Sequence, residues 1–171
     1  MPSTSRNAAI GGNATIAAIS AQVRHSACTC GSLRKASRRV SQFYDTALAP
    51  LGIKSTQYSI LSEVARGSVE GPVTMRELAT SMVMDRSTLG HNLKPLERDD
   101  LVSLRSSSDD RRKRYVELTR KGKSTLLRAR RLWRRAEGRF EKIFGKEPAA
   151  ELRAVLLSIA GNKELNSLPI N

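Results

Sequence analysis

The stretch Thr74-Met75-Arg76-Glu77-Leu78-Ala79-Thr80-Ser81-Met82-Val83-Met84-Asp85-Arg86-Ser87-Thr88-Leu89-Gly90-His91-Asn92-Leu93-Lys94-Pro95-Leu96-Glu97-Arg98 decides the fold. Thr74 and Glu77 have the spacing of a capping box, in which the hydroxyl accepts from the third backbone N–H and the carboxylate reaches back to the first. The helix they open is short and ends near Ser81. Val83-Met84 makes the turn. Asp85, a good N-cap residue, starts a second helix that runs from Arg86 to about Arg98. Two short helices joined by a few residues form a helix-turn-helix, with Thr74–Ser81 as the supporting helix and Arg86–Arg98 as the recognition helix. Pro95 lacks the N–H that would bond the carbonyl of His91, so a bend is expected near His91–Lys94.

Downstream, Leu101–Leu104 and Tyr115–Leu118 alternate as strands do, around a hairpin tip, Arg105–Arg114, made almost wholly of Ser, Asp, Arg and Lys. Thr119 caps a long helix whose apolar positions are Leu126, Ala129, Trp133, Ala136, Phe140 and Ile143. Their alternating steps of three and four make a heptad-like seam that asks for a partner helix. Gly145 and Pro148 separate it from a last helix, about 148–160, with Leu152, Val155, Leu156 and Ile159 inward. Upstream, Leu33, Ala36, Val40, Phe43, Tyr44, Ala47 and Leu48 keep helical spacing until Pro50 and Gly52 stop it. A helix from Ser55 to about Arg66 follows, with Tyr58 and Leu61 inward. Residues 1–24 are rich in Ala, Ser, Asn and Gly and lack acids. That composition suits an arm with no fixed fold better than the transit peptide it also resembles. The expected fold class is mainly α with a small β-wing, a winged helix-turn-helix.

The chain has 171 residues and a net charge of +14, and residues 101–145 alone carry 15 basic against 5 acidic side chains, a net of +10. Such an excess points to a polyanion, nucleic acid before an acidic membrane surface. No apolar run is long enough to span a bilayer, so no membrane partner and a cytoplasmic location are expected. Two Cys one residue apart make no disulfide framework. His25, Cys28 and Cys30 offer three possible metal ligands with no fourth, so no metal and no cofactor are expected. No catalytic triad, carboxylate pair or phosphate loop is visible, which argues against an enzyme.

The runs Leu33-Arg34-Lys35-Ala36-Ser37-Arg38, Glu77-Leu78-Ala79, Asp85-Arg86-Ser87-Thr88-Leu89, Leu93-Lys94-Pro95-Leu96-Glu97-Arg98 and Asp110-Arg111-Arg112 leading to Leu118-Thr119 resemble, in order and spacing over about residues 28–160, the MarR family of bacterial transcriptional regulators. The resemblance implies an obligate homodimer: an N-terminal dimerisation helix in 25–54, the winged helix-turn-helix in 55–118, C-terminal dimerisation helices in 119–160 and a tail, 161–171. The seam residues Leu126, Trp133, Phe140 and Ile143, with Leu152 and Leu156, are the expected dimer contacts. Two recognition helices on one face imply double-stranded DNA with a palindromic operator, and the usual role is a repressor in the bacterial cytoplasm, at the nucleoid. Where the family carries Gly after the recognition helix, this chain has Asp100, which tolerates a left-handed turn better than most residues.

Site residues follow. Arg86, Ser87 and Thr88 sit on the first turn of the recognition helix, where backbone N–H groups suit phosphate, and His91, Asn92 and Lys94 lie one turn on. Asn can pair with adenine and Arg with guanine in the major groove. Arg111 and Arg112 match the family's wing-tip residues, aimed at the minor groove, with Asp110 orienting one of them and Arg114 extending the basic run. The family also responds to small-molecule effectors, often an aromatic acid or its thioester, bound between dimer helices and winged domain. Arg34, Arg38, Tyr44, Tyr58 and Trp133 are the candidates for that site, although packing explains the aromatics equally well. Cys30 falls where the hydroperoxide-sensing branch of the family carries its reactive Cys, and Tyr44 matches a tyrosine that supports it, whereas Arg34 and Ser55 replace two others. A helix N-terminus beside Arg34 and Lys35 suits a reactive sulfur, which makes a thiol-based sensor the alternative within the class. From another class, the alternative is a sequence-tolerant packaging or RNA-binding protein.

Overall fold

The computed structural model describes residues 28–69, 71–106 and 113–166. The N-terminal arm, Asp110, Arg111 and Arg112, and the end of the tail lie outside them. The chain divides into two compact units, Met1–Val40 and Ser41–Asn171. The elements in chain order are α1 (Thr29–Leu48), α2 (Ser55–Gly67), β1 (Val73–Thr74), α3 (Met75–Ser81), α4 (Arg86–Arg98), β2 (Val102–Ser106), β3 (Arg114–Leu118), α5 (Arg120–Phe144) and α6 (Lys146–Gly161).

The strands form one antiparallel sheet in the order β1-β3-β2, with Val73 opposite Val116 and Val102 opposite Leu118. β1 escapes the sequence reading because two residues show no period. The core lies between α2, α3, α4, the sheet and the start of α5. Leu48, Ile60, Leu61, Val64, Leu89, Leu96 and Val116 are fully buried there. Burying one such side chain stabilises the fold by roughly 1.5–3 kcal/mol.

Caps fix where the helices begin. Thr74 Oγ1 accepts from Glu77 N at 3.2 Å while Glu77 Oε2 accepts from Thr74 N at 2.9 Å. Asp85 Oδ1 accepts from Thr88 N at 2.8 Å, and Thr119 Oγ1 accepts from Gly122 N at 2.9 Å. Asp45 Oδ1 accepts from Ser55 N at 2.6 Å, which ties the end of α1 to the start of α2. Gly122 is required by contact: a Cβ there would lie 1.9 Å from the carbonyl oxygen of Leu101. That approach seats α5 directly on the root of the wing.

The long seam on α5 divides along its length. Leu126 is 7% exposed and Ala129 is fully buried, both within the chain's own core. Leu126 is therefore not open to a partner, contrary to the expectation from the heptad steps. Further along, Phe140 packs against Phe43 and Phe144, and Ile143 is exposed. On α6 only Ala149 is buried, while Leu152, Val155, Leu156, Leu157 and Ile159 are exposed.

Candidate nucleic-acid interface

On α4, Leu89, Leu93 and Leu96 turn into the core, a helical spacing that holds the opposite face outward. Arg86, Ser87, Thr88, His91 and Lys94 lie exposed on it, and Asn92 is half-buried. The helix runs unbroken through Pro95. Not every side chain on this face is unengaged. Asn92 Nδ2 donates to Thr88 O at 2.9 Å, which leaves its Oδ1 as the free end, and the Thr88 hydroxyl donates to Asp85 Oδ2. These hydrogen bonds from the Thr88 side chain and then its backbone hold the Asp85 carboxyl below the usual range. The cap therefore stays ionised.

Two clefts flank the exposed face. The larger, 690 Å³, is lined by Thr74, Arg76, Glu77, Thr80 and Ser81 of the β1–α3 segment, Arg86 of α4, and Lys113 and Arg114 of the wing. The smaller, 300 Å³, runs along α4 past Ser87, His91 and Lys94 to Leu104 and Arg114. Arg86 and Arg114 border both, so one arginine of the recognition helix and one of the wing are shared by the two clefts. The one acid of the larger cleft, Glu77, is committed to its cap, where hydrogen bonds from the Thr74 backbone and then its hydroxyl depress its carboxyl. Four cations, Arg76, Arg86, Lys113 and Arg114, thus face one acid among the described lining, and Lys113 shares its field with that carboxylate. Two of them, Arg76 and Lys113, were missed from sequence. Lys113 belongs to the same basic run as the wing residues singled out, but nothing in the periodicity of a seven-residue helix marks Arg76.

The proposed effector residues adopt a different geometry. Tyr44 and Tyr58 each stack on Trp133, with centroids 4.0 and 4.5 Å away and planes 19° and 18° apart. Two rings this close cannot share one face of an indole, so Trp133 lies sandwiched between them. Tyr44 OH donates to Glu137, which also receives Arg153 of α6. Burial first, then the bond to Glu137, pushes the Tyr44 phenol well above its usual range. None of these three aromatics lines either cleft beside α4. Arg34 and Arg38 are exposed on α1. Cys28 and Cys30 are free and exposed at the start of α1, and the Cys28 sulfur accepts from Gly31 N at 3.3 Å. Among the described residues no group of acids, His and Cys could hold a metal, and no helix is long and apolar enough to cross a membrane.

The sequence model of the MarR family matches residues 51–113, from the start of α2 into the wing. No curated protein matches the chain. Among solved structures, the M. tuberculosis transcriptional regulator MosR in complex with DNA is 33% identical, with a TM-score of 0.72 over 82% of this chain and 99% of its own. The transcriptional repressor CouR bound to a 23-mer DNA duplex is 30% identical, with a TM-score of 0.67 over 75% of this chain and 89% of its own. CouR, a protein of Rhodococcus jostii RHA1, has also been solved with p-coumaroyl-CoA; one such structure is 26% identical, with a TM-score of 0.67 over 77% of this chain and 90% of its own.

Proposed function

This chain belongs to the MarR family of DNA-binding transcriptional regulators, which are not enzymes, and we propose that it is a homodimeric repressor of a palindromic operator, released by a small molecule. The observation that carries the DNA reading is the junction of Arg76, Arg86, Lys113 and Arg114 around the cleft beside the recognition helix. Charge there serves phosphate, and the outer residues Ser87, His91, Asn92 and Lys94 are left to read base edges. Arg111 and Arg112, with Asp110, lie outside the described residues and are the wing contacts that the family resemblance implies. The similarity to a repressor solved on DNA supports the sign of regulation.

The homodimer is supported by α6. Five large apolar side chains exposed on one helix, with Ile143 and Phe144 of α5 beside them, exceed what a monomer leaves in water. Phe140, Leu152 and Leu156 belong to that surface. For the effector, an aromatic acid or its thioester suits Tyr44, Tyr58 and Trp133 by ring stacking; the counter-charges expected at Arg34 and Arg38 belong to the other compact unit. The ligand would have to part a stack that is closed in this structure. A second reading makes Cys30 a peroxide-reactive thiol, and the exposure of both sulfurs at the first turn of α1 favours it. Hydroperoxide would then abolish operator binding in the native chain and spare it in Cys30→Ser.

The decisive test selects duplexes from a random pool and compares the winner with random DNA by fluorescence anisotropy at physiological salt. A regulator prefers a palindrome by about 10³ or more. Equal affinity for both would replace this reading with a packaging protein.

A further inference from the structure

A cleft of 560 Å³ lies away from the DNA-facing clefts, where the C-terminal end of α2, the strap Gly71-Pro72, the root of β3 and the first half of α5 meet. Its apolar lining is wholly aliphatic: Ala65, Pro72, Leu118, Leu126 and Leu127. Leu127, 64% exposed, has no cover. Lys123 and Arg130 stand on the same rim, seven residues apart on α5 and so about two turns along one face. The one acid of the described lining, Glu117, is engaged by Arg105 Nε at 3.5 Å. Neither Lys123 nor Arg130 has a side-chain acceptor among the described residues.

An aliphatic trough whose two rim cations have no acceptor among the described residues is complementary to a molecule with an apolar chain and an acidic end. The volume falls within the roughly 300–1,000 Å³ of small-molecule sites. We propose that this cleft binds an aliphatic carboxylate, its chain against Leu118, Leu126 and Leu127 and its carboxylate between Lys123 and Arg130. Aliphatic walls have no ring to stack on, which separates this site in chemistry as well as place from the closed Tyr44–Trp133–Tyr58 stack.

The position carries a consequence for DNA. Leu118 ends the returning strand of the wing, and Gly71-Pro72 leads into β1, which pairs with that strand at Val73 and Val116. The strap also borders a second cleft on its other side, so it is packed tightly on neither. Gly71 holds a φ of +140°, a conformation that leaves this strap to glycine. An occupant therefore touches the end of the strand that leads into α5 and the strap that joins α2 to β1, and through these two shifts the wing relative to α4. This last step rests on the operator-binding reading; the binding itself does not.

The test titrates the full chain with decanoate, kept below its micelle concentration, by calorimetry, with decylamine as the opposite-charge control. Saturable binding of decanoate alone is expected, one per chain. Lys123→Gln/Arg130→Gln should weaken it by about tenfold or more, since each charge-assisted bond contributes on that order. Leu127→Glu, at an exposed position that leaves the core untouched, should weaken it comparably. Circular dichroism confirms that both variants are folded. Equal binding of decanoate and decylamine, undiminished binding by the folded variants, or no binding overturns the proposal. Anisotropy then asks whether decanoate lowers operator affinity in the native chain and not in the double variant. A chain that selects a palindrome but ignores decanoate sinks this inference and leaves the regulator standing; one that binds decanoate without selecting a palindrome does the reverse.

Discussion

Val83 is an exposed β-branched residue at φ +52°, and Asp100 stands at φ +55°. Both occupy the same position in the same motif. At the end of α3, Met84 N donates to Ala79 O and Val83 N to Thr80 O; at the end of α4, Leu101 N donates to Leu96 O and Asp100 N to Glu97 O. Each pair of bonds forces the residue between into the left-handed region, the place of glycine in such a helix end. Asp visits that region with little strain, but Val does not, at a cost of roughly 1–2 kcal/mol. Val83→Gly should therefore raise the stability of the fold by about 1 kcal/mol, and Asp100→Gly by only a few tenths, in urea denaturation. The reverse ranking would show that neither turn is strained as described. The left-handed turn at Asp100 was legible, because family resemblance put glycine there. The one at Val83 was not: the short helix and its turn could be read, but the bond from Met84 to Ala79 that sets the conformation is a product of folding.

Helix starts were more legible than helix destinations. Thr74 with Glu77, Asp85 and Thr119 were read as caps from local spacing alone, because a cap involves residues three apart. These caps also set the acid limit. Glu77, Asp85 and Asp99 are held below the ordinary carboxylate range by hydrogen bonds from Thr74, Thr88 and Arg98 respectively. For Asp45, burial acts to raise the carboxyl, but the bonds from Ser55 and the charge of Lys54 together outweigh it. A depressed folded-state pKa means stability that is complete above the unfolded value, about 4, and lost as pH falls through the folded one. The melting temperature should stay level from neutral to about pH 5 and drop below about pH 4, with a shallower drop in Asp85→Asn, which keeps the cap without the titration. The seam on α5 shows the opposite limit. Steps of three and four establish that one face is covered, not by which chain. Leu126 and Ala129 are covered by their own core and Trp133 by two tyrosines, which leaves Ile143, Phe144 and α6 as the apolar surface open to the proposed partner. On the proposed homodimer, Leu156→Glu should thus convert dimer to monomer in analytical ultracentrifugation and remove operator binding, with the circular dichroism of the fold retained.

The net charge of +14 describes the whole molecule poorly as a DNA-binding quantity. Ten Lys and Arg lie on α5, yet none lines the two clefts beside α4. Arg135 and Arg139 instead border an apolar cleft with Phe43, Ala47 and Ile143, and Lys123 and Arg130 frame the aliphatic trough. The charge proposed to meet phosphate is the smaller set Arg76, Arg86, Lys113 and Arg114, which share one cleft beside α4. Counterion release makes this division measurable, because the slope of log affinity against log salt changes by about 0.9 for each phosphate that the protein ceases to neutralise. In a homodimer every substitution counts twice. Arg114→Gln should therefore flatten the slope by about two, while Arg131→Gln, an equal loss of charge on exposed α5, should shift affinity slightly and leave the slope alone. Equal flattening by both would mean that DNA answers to the summed field of the molecule, and that the positions of Arg86 and Arg114 between wing and recognition helix carry no special weight.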